Sequence, residues 1–170
     1  MRILLVLMTT LAILFSGCGE SKPIKRRKGL PLVKERNHWL HSHDKALAES
    51  QNTGKPVLAF FTGSDWCQPC QMLDATILNT PEFSTWAKEN VILLELDFPK
   101  KKSLSKRLTD QNRRLAATYQ IKNFPTVLIL ATDGTPLLTT GYIRVPAKRW
   151  VEVLDKKLKE AIAMSTTTPQ

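Results

Sequence analysis

Two cysteines separated by two residues, Cys67 and Cys70, form the pattern in this sequence best suited to chemistry. They follow an almost continuous apolar run, residues 57–62, that is typical of a buried strand, and they open a segment, residues 68–78, with the apolar spacing of a helix. Backbone N–H groups and the macrodipole at a helix N-terminus favour a thiolate over a thiol. The placement therefore predicts a pair that exchanges disulfides. Cys67 is expected to be the nucleophile, and Cys70, one helical turn later, the thiol that resolves the mixed disulfide.

The same spacing has two other interpretations. A Cys-x-x-Cys pair is half of a zinc site, which needs two further ligands, and His38, His41 and His43 form the one plausible cluster. The chain has 3 cysteines in all and therefore no second pair. A structural disulfide across the two intervening residues is the other alternative. We favour redox chemistry and expect neither a metal nor an organic cofactor.

The N-terminus has the layout of a secretory signal. Arg2 precedes an apolar stretch, residues 3–15, that is shorter than the roughly 20 residues a membrane-spanning helix needs. Residues 15–18, Phe-Ser-Gly-Cys, resemble a bacterial lipobox. That resemblance implies that residues 1–17 are a signal peptide and that Cys18 is lipidated, becoming the first residue of an exported, membrane-anchored protein. Ordinary signal cleavage and a retained membrane segment are the alternatives.

The chain is basic, with 25 Lys and Arg against 15 Asp and Glu and a formal net charge of +10. Most of the excess lies in two runs, residues 22–36 and 100–114. Neither run carries interleaved aromatic residues or a nucleic-acid-binding motif, so we expect solvated surfaces and no nucleic-acid partner. The first run falls within residues 18–36, which we predict to be a flexible tether that also attracts an anionic membrane surface.

The 170 residues, 42% of them hydrophobic, suffice for one ordinary domain and exclude a collagen-like, coiled-coil or wholly disordered chain. The strand and helix patterns place that domain at residues 37–164, with a disordered tail at 165–170. A hairpin signal at Asp133-Gly134 follows alternating strands and helices, which predicts an α/β fold with a mixed sheet. The predicted strands are 39–40, 57–62, 91–98, 126–130 and 136–142, and the predicted helices are one capped by Ser42, then 68–78, 81–89, 110–119 and 146–164.

Residues 66–70, Trp-Cys-Gln-Pro-Cys, together with residues 124–126, Phe-Pro-Thr, resemble the thioredoxin superfamily. Within that superfamily, residues 55–67, 94–99 and 141–142 are most similar to exported bacterial thioredoxin-like proteins of the reductase type. The resemblance implies a thioredoxin-like fold, in which a central mixed β-sheet is flanked by helices.

The resemblance also implies roles for the matching positions. Pro125 is expected to follow a cis peptide bond. With Phe124 and Thr126 it is expected to form the edge on which an extended substrate lies beside the sulfurs. Trp66 and Tyr142 are expected to join Phe124 in an apolar rim, with ordinary packing as the alternative for both.

One departure from the superfamily concerns proton transfer. Thioredoxin carries a buried acid on the strand before its active site, and the corresponding places here hold Ala59 or Phe60. Asp65, in the active-site loop with Gln68 and Pro69, or a water molecule would have to take over that task. Surface solvation is the alternative for Asp65.

The predicted function is that of a thiol–disulfide oxidoreductase, which reduces disulfides of exported proteins and receives electrons from an upstream thiol donor. The pair Gln68-Pro69 lacks the His beside the second cysteine that favours a strongly oxidising protein, which indicates a reductase. An oxidase or isomerase is the alternative within this class, because exported settings are oxidising. A non-catalytic peptide-binding module with a structural disulfide is the alternative from another class.

Overall fold

The computed structural model describes residues 37–167. The predicted signal peptide, Cys18 and the tether lie outside the described residues, as do residues 168–170. Along the described chain the elements are α1 (His43–Thr53), β1 (Val57–Thr62), α2 (Gln68–Leu73), α3 (Pro81–Asn90), β2 (Ile92–Asp97), α4 (Lys106–Thr118), β3 (Thr126–Leu130), β4 (Pro136–Thr140) and α5 (Ala147–Thr167). A π-helical segment, Asp74–Leu78, continues α2 directly.

The four strands form one sheet in the order β2-β1-β3-β4. β1 pairs in parallel with β2 and antiparallel with β3, while β3 and β4 form an antiparallel hairpin. All six residues of β1 are buried, because the strand has a neighbour on each side and helices on both faces. The predicted α/β fold with a central mixed sheet flanked by helices is therefore confirmed.

Side-chain alternation along β1 supplies two separate cores. Leu58 and Phe60 lie on the face that packs against Cys70 and Leu73 of α2 and against Trp150 of α5. The opposite face packs against α1 and α4 in a cluster that includes Ala46, Val57, Ala59, Phe61 and Leu115. The helix that carries the cysteine pair is thus fixed against the centre of the sheet.

The helix α4 begins at Lys106 rather than at the predicted Asp110. Its N-cap is Ser105, whose Oγ accepts a hydrogen bond from the Leu108 N–H at 3.4 Å. This additional turn is mostly charged and polar, so apolar periodicity gives no sign of it, whereas the capping serine does.

The helix α5 runs to Thr167 and continues past Ser165, where the sequence predicts a disordered tail to begin. The Ser165 hydroxyl donates to the Ile162 carbonyl at 2.8 Å, and no Gly or Pro interrupts the chain before Pro169. Residues 165–167 are therefore helical. No helix within residues 37–167 is long and apolar enough to cross a membrane.

Two further local predictions differ from the structure. The apolar spacing of residues 68–78 predicts Met72 on the buried side with Leu73 and Ile77, but Met72 is 37% exposed. The inward stripe runs through Cys70, Leu73 and Ile77, three and four residues apart, and Met72 lies outside it. The predicted strand at residues 39–40 is reduced to a single parallel bridge between Leu40 and Leu94.

Candidate active site

A short loop after β1 sets the position of the first cysteine. The Gly63 carbonyl accepts hydrogen bonds from the Trp66 N–H at 3.2 Å and from the Cys67 N–H at 2.8 Å. This turn brings Cys67 to the N-cap of α2. A side chain at Gly63 does not fit, because a Cβ there would lie 2.4 Å from Cε2 of the Trp66 indole. The indole therefore packs directly on the backbone of the loop.

The two cysteines form a disulfide, with an S–S distance of 2.05 Å and a Cα–Cα distance of 5.2 Å. The Sγ of Cys67 accepts a hydrogen bond from the Cys70 N–H at 3.2 Å. Cys67 is 5% exposed and Cys70 is 1% exposed, so the first sulfur is the more accessible of the two. Pro69 occupies the first turn of α2, where its missing N–H is not needed. The predicted pairing at a helix start is present.

Of the three histidines predicted as alternative zinc ligands, His38 and His41 precede α1 and His43 is its first residue. His41 Nδ1 is 3.4 Å from the Glu95 carboxylate, and His43 Nδ1 is 3.6 Å from Asp44. Within residues 37–167, no group of three or more His, Cys, Asp or Glu side chains is arranged to hold a metal ion. This part of the chain therefore offers no ligand set for zinc.

The segment before β3 carries the predicted substrate edge. The Phe124–Pro125 peptide bond is cis, as the resemblance implies. Thr126 is buried at the start of β3, and its hydroxyl donates to the Asn123 carbonyl at 2.7 Å, which ties the turn together. A Cβ at Gly141 would lie 3.1 Å from the Pro125 carbonyl oxygen, so the backbone after β4 passes close to this turn.

An aromatic cluster connects the active-site loop to that edge. The rings of Trp66 and Phe124 meet edge to face with centroids 5.8 Å apart, and Phe98 lies 5.1 Å from Phe124. The Trp66 indole N–H donates to the Phe98 carbonyl at 2.7 Å. Trp66 is 38% exposed, whereas Tyr142 is partly buried and packs against the core cluster that holds the cysteines. Phe98 directly follows β2, and no pattern in the sequence predicts a site role for it.

The hydrogen bonds of Asp65 do not favour the proton-transfer role predicted as one possibility for it. Its carboxylate accepts three backbone hydrogen bonds, from the N–H groups of Lys100 at 3.0 Å, Lys101 at 2.7 Å and Lys102 at 3.1 Å. These bonds lower the pKa of the Asp65 carboxyl below its ordinary value. A carboxylate held in its ionised form is a poor proton donor, and here it anchors the loop that follows β2.

A second carboxylate, Asp97 at the end of β2, fixes the active-site loop from the other side. The Ser64 N–H donates to Oδ1 of Asp97 at 2.9 Å, and the Ser64 hydroxyl donates to Oδ2 at 2.6 Å. Lys102 Nζ lies 3.5 Å from the same carboxylate. The Asn112 side chain donates to the Asp97 backbone carbonyl at 2.8 Å, so α4 supports this corner. The sequence patterns did not identify Asp97 as a site residue. The available signal was an acidic residue at the end of a predicted buried strand.

The places considered for a buried acid on β1 are filled by Ala59, fully buried, and Phe60, 2% exposed. The residue paired with Phe60 on the neighbouring strand β2 is Glu95. Burial raises the pKa of the Glu95 carboxyl, and the nearby Asp97 and Asp74 raise it further, against the opposing effects of His41 and Lys102. Phe60 and Glu95 lie on the same face of the sheet, so the acidic residue on this face belongs to β2 and not to β1.

Comparison with known proteins agrees with this geometry. A family model described as Thioredoxin-like domain matches residues 43–158. Disulfide bond reductase DsbH of Chlamydia pneumoniae is 32% identical over 112 residues, which are 66% of this chain and 67% of that protein. Thioredoxin-related protein DsbJ of the same organism is 25% identical over 103 residues, 61% of this chain and 30% of that longer protein.

Among solved structures, one described as DsbH Oxidoreductase matches with a TM-score of 0.71 and 28% identity, covering 82% of this chain and 95% of that chain. A thioredoxin from Thermus thermophilus has a TM-score of 0.58 at 17% identity, covers 76% of this chain and 93% of its own, and shares the fold.

The fold and the Cys67–Cys70 pair define a thiol–disulfide oxidoreductase of the thioredoxin type. The chain belongs to the thioredoxin-like domain family, whose model covers residues 43–158. The fold, the family and the class of enzyme predicted from the sequence are confirmed.

Proposed function

We propose that this protein is a reductase that delivers electrons to disulfides of exported proteins. The observation that carries the proposal is the Cys67–Cys70 pair at the start of α2, beside an exposed aromatic surface and the Phe124–Pro125 edge. A relative that is 32% identical bears the name disulfide bond reductase, which supports the reducing direction.

The reaction proceeds by two thiol–disulfide exchanges. The Cys67 thiolate attacks one sulfur of the substrate disulfide, a Cys67–substrate disulfide forms, and the other substrate sulfur leaves as a thiolate that takes a proton from water. Cys70 then loses its proton to water, its thiolate attacks Sγ of Cys67, and the second substrate sulfur leaves as a thiolate that takes up a proton. The substrate gains two electrons and two protons, and the Cys67–Cys70 disulfide is left behind. A dithiol donor outside this chain returns the two electrons and two protons by the reverse exchange.

We assign substrate binding to Trp66, Phe124, Pro125 and Thr126, and shaping of the active-site loop to Asp65, Gln68 and Pro69. The 38% exposure of Trp66 and its edge contact with the partly buried Phe124 support an apolar surface next to the sulfurs. An extended peptide would pair with the backbone before Pro125, so that its cysteine reaches Cys67.

We further propose export and anchoring through the N-terminus. The lipobox-like residues 15–18 support removal of residues 1–17 and lipidation of Cys18, with residues 18–36 as the tether between membrane and domain. Mass spectrometry of the mature N-terminus tests this. A diacylated Cys18 is expected, and an uncleaved chain with an unmodified Cys18 would refute the anchor.

Catalysis is tested by the reduction of insulin with dithiothreitol as electron donor. Wild type should accelerate the reduction, and Cys67→Ser should abolish the acceleration, while Cys18→Ala, which leaves the pair intact, should not. If the protein is only a peptide-binding module, neither wild type nor these variants should accelerate insulin reduction beyond the rate with dithiothreitol alone.

The direction of electron flow is tested by redox titration of the Cys67–Cys70 pair. A reductase should lie near the potential of thioredoxin, about −270 mV, whereas a potential near about −120 mV, that of a dedicated oxidase, would contradict the proposal.

A further inference from the structure

The loop between β2 and α4 places three consecutive lysines beside the active site. The Asp65 carboxylate holds the backbone N–H groups of Lys100, Lys101 and Lys102, and this tie fixes the loop to the segment just before Cys67. The Asp65 carboxylate contacts these residues through their backbone groups, and among the described residues no ion pair joins it to the three lysine side chains.

Lys100 lies directly on the apolar surface proposed for substrate. Its Nζ is 4.0 Å from the centroid of the Trp66 ring, in cation–π geometry. The Trp66 indole is in turn fixed by its hydrogen bond to the Phe98 carbonyl at 2.7 Å. An ammonium group is therefore held over the side chain that directly precedes Cys67.

Two of the three lysine side chains in this loop have no ion-pair partner among the described residues. Lys102 forms an ion pair with Asp97 at 3.5 Å. Among the carboxylates of residues 37–167, none lies within ion-pair distance of the Lys100 or Lys101 ammonium, and both side chains are exposed.

The two other loops around the proposed substrate edge are basic as well. Lys122 lies two residues before Phe124, and Arg144 follows the Gly141 backbone that packs on the Pro125 carbonyl. Both side chains are exposed, and in the described part of the chain neither forms an ion pair. Three loops around the proposed substrate edge, those that hold Lys100, Lys122 and Arg144, thus each contribute at least one cation without an ion pair among the described residues. We call Lys100, Lys101, Lys122 and Arg144 the basic rim.

We propose that the basic rim selects acidic substrates, namely disulfide-bearing segments with Asp or Glu close to the reactive cysteine. This inference rests on the proposed reductase function. Cations around a cleft raise the local concentration of an anionic partner and its association rate, and salt weakens that effect. The apolar surface of Trp66 and Phe124 then receives the segment that the rim has attracted.

The test uses three disulfide-linked peptides of equal length, which differ in two residues next to each cysteine: Glu, Gln or Lys. The kcat/KM for reduction by the wild-type protein should be highest for the Glu peptide, intermediate for the Gln peptide and lowest for the Lys peptide. At low salt the Glu and Lys peptides should differ by about tenfold. Raising the salt concentration to about 0.5 M should compress the range.

The double variant Lys100→Gln/Lys101→Gln should lose most of the preference while still reducing the Gln peptide. The matched control Lys45→Gln/Lys88→Gln removes the same charge from exposed positions on α1 and α3 and should keep the preference. Equal rates for the three peptides, or a preference that survives in the rim variant, would overturn the inference.

The outcome also separates this inference from the proposed function. If all three peptides are reduced equally well, the reductase function stands and the acidic selection is wrong. If none is reduced, both are wrong. Binding to phosphatidylglycerol vesicles that disappears in the rim variant, together with equal peptide rates, would assign the basic rim to a membrane surface instead.

Discussion

The backbone N–H of Cys70 points at the sulfur of Cys67, with 3.2 Å between the nitrogen and Sγ. The same N–H group would stabilise negative charge on Cys67 once the disulfide is reduced, because a helix N-terminus favours an anion at its cap. Cys70 lies inside the first turn and is 1% exposed. The two sulfurs, identical in chemistry, therefore have different environments.

The first prediction follows from that asymmetry. In the reduced protein, iodoacetamide at about pH 7 should modify Cys67 before Cys70, because reaction follows thiolate character and access. Cys70→Ser should accumulate a mixed disulfide with substrate, and Cys67→Ser should not. Peptide mass spectrometry in a Cys18→Ala background, which removes the third thiol, measures both. Faster labelling of Cys70 would reverse the assignment of the nucleophile.

The second prediction concerns Gly63 and Trp66. In Gly63→Ala the new methyl group would lie 2.4 to 2.7 Å from the indole ring, so Trp66 must move and lose its bond to the Phe98 carbonyl. We expect a stability loss of about 1–3 kcal/mol and a fall of about tenfold or more in kcat/KM.

The control for Gly63→Ala is the double variant Gly63→Ala/Trp66→Ala. With the indole removed, the added methyl group meets no ring, so the double variant should resemble Trp66→Ala alone in urea unfolding and in insulin reduction. Additive losses would show that the close approach of Trp66 to Gly63 is not what excludes a side chain.

The sequence predicted what depends on local pattern. The apolar run of β1, the cysteine spacing at the start of α2 and the hairpin at Asp133-Gly134 are all encoded within a few neighbouring residues, and the structure places each as predicted. The cis bond before Pro125 came from resemblance and not from physical reasoning on the residues.

The parts that the sequence did not reveal depend on pairing between distant segments. Asp65 and Lys101 are bonded although 36 residues apart, and Ser64 and Asp97 although 33 residues apart. These contacts exist because β1 and β2 lie side by side in parallel and end at the same edge of the sheet. An exposed acid in a loop and a run of lysines look like solvated surface until that register is known.

The third prediction concerns the buried amide of Asn112, which is 3% exposed. Its Nδ2 donates to the Asp97 carbonyl at 2.8 Å, and its Oδ1 accepts from the Gln111 side chain at 3.0 Å. Asn112→Ala leaves both partners without their bond and should lower the free energy of unfolding by about 1–3 kcal/mol in urea titration. Arg113→Ala, on the exposed side of the same helix, should change it by less than about 0.5 kcal/mol. Equal effects of the two variants would contradict the role of Asn112.

The last prediction is a pH dependence of stability caused by Glu95. Burial raises the pKa of the Glu95 carboxyl in the folded protein above the ordinary value of 4.5. Between the ordinary pKa and the raised pKa, the folded protein holds a proton that the unfolded chain has released. The folded state therefore loses stability as the pH rises through this window, and the loss persists above it.

Glu95→Gln resembles the protonated acid and cannot ionise. In urea titrations the free energy of unfolding of this variant should match that of wild type at about pH 4 and exceed it at pH 7. The difference should grow as the pH rises through the window. Glu89→Gln, at an exposed position on α3, should show no such growth. A constant or shrinking difference between Glu95→Gln and wild type would mean that the pair with His41, 3.4 Å away, outweighs the cost of burying the charge.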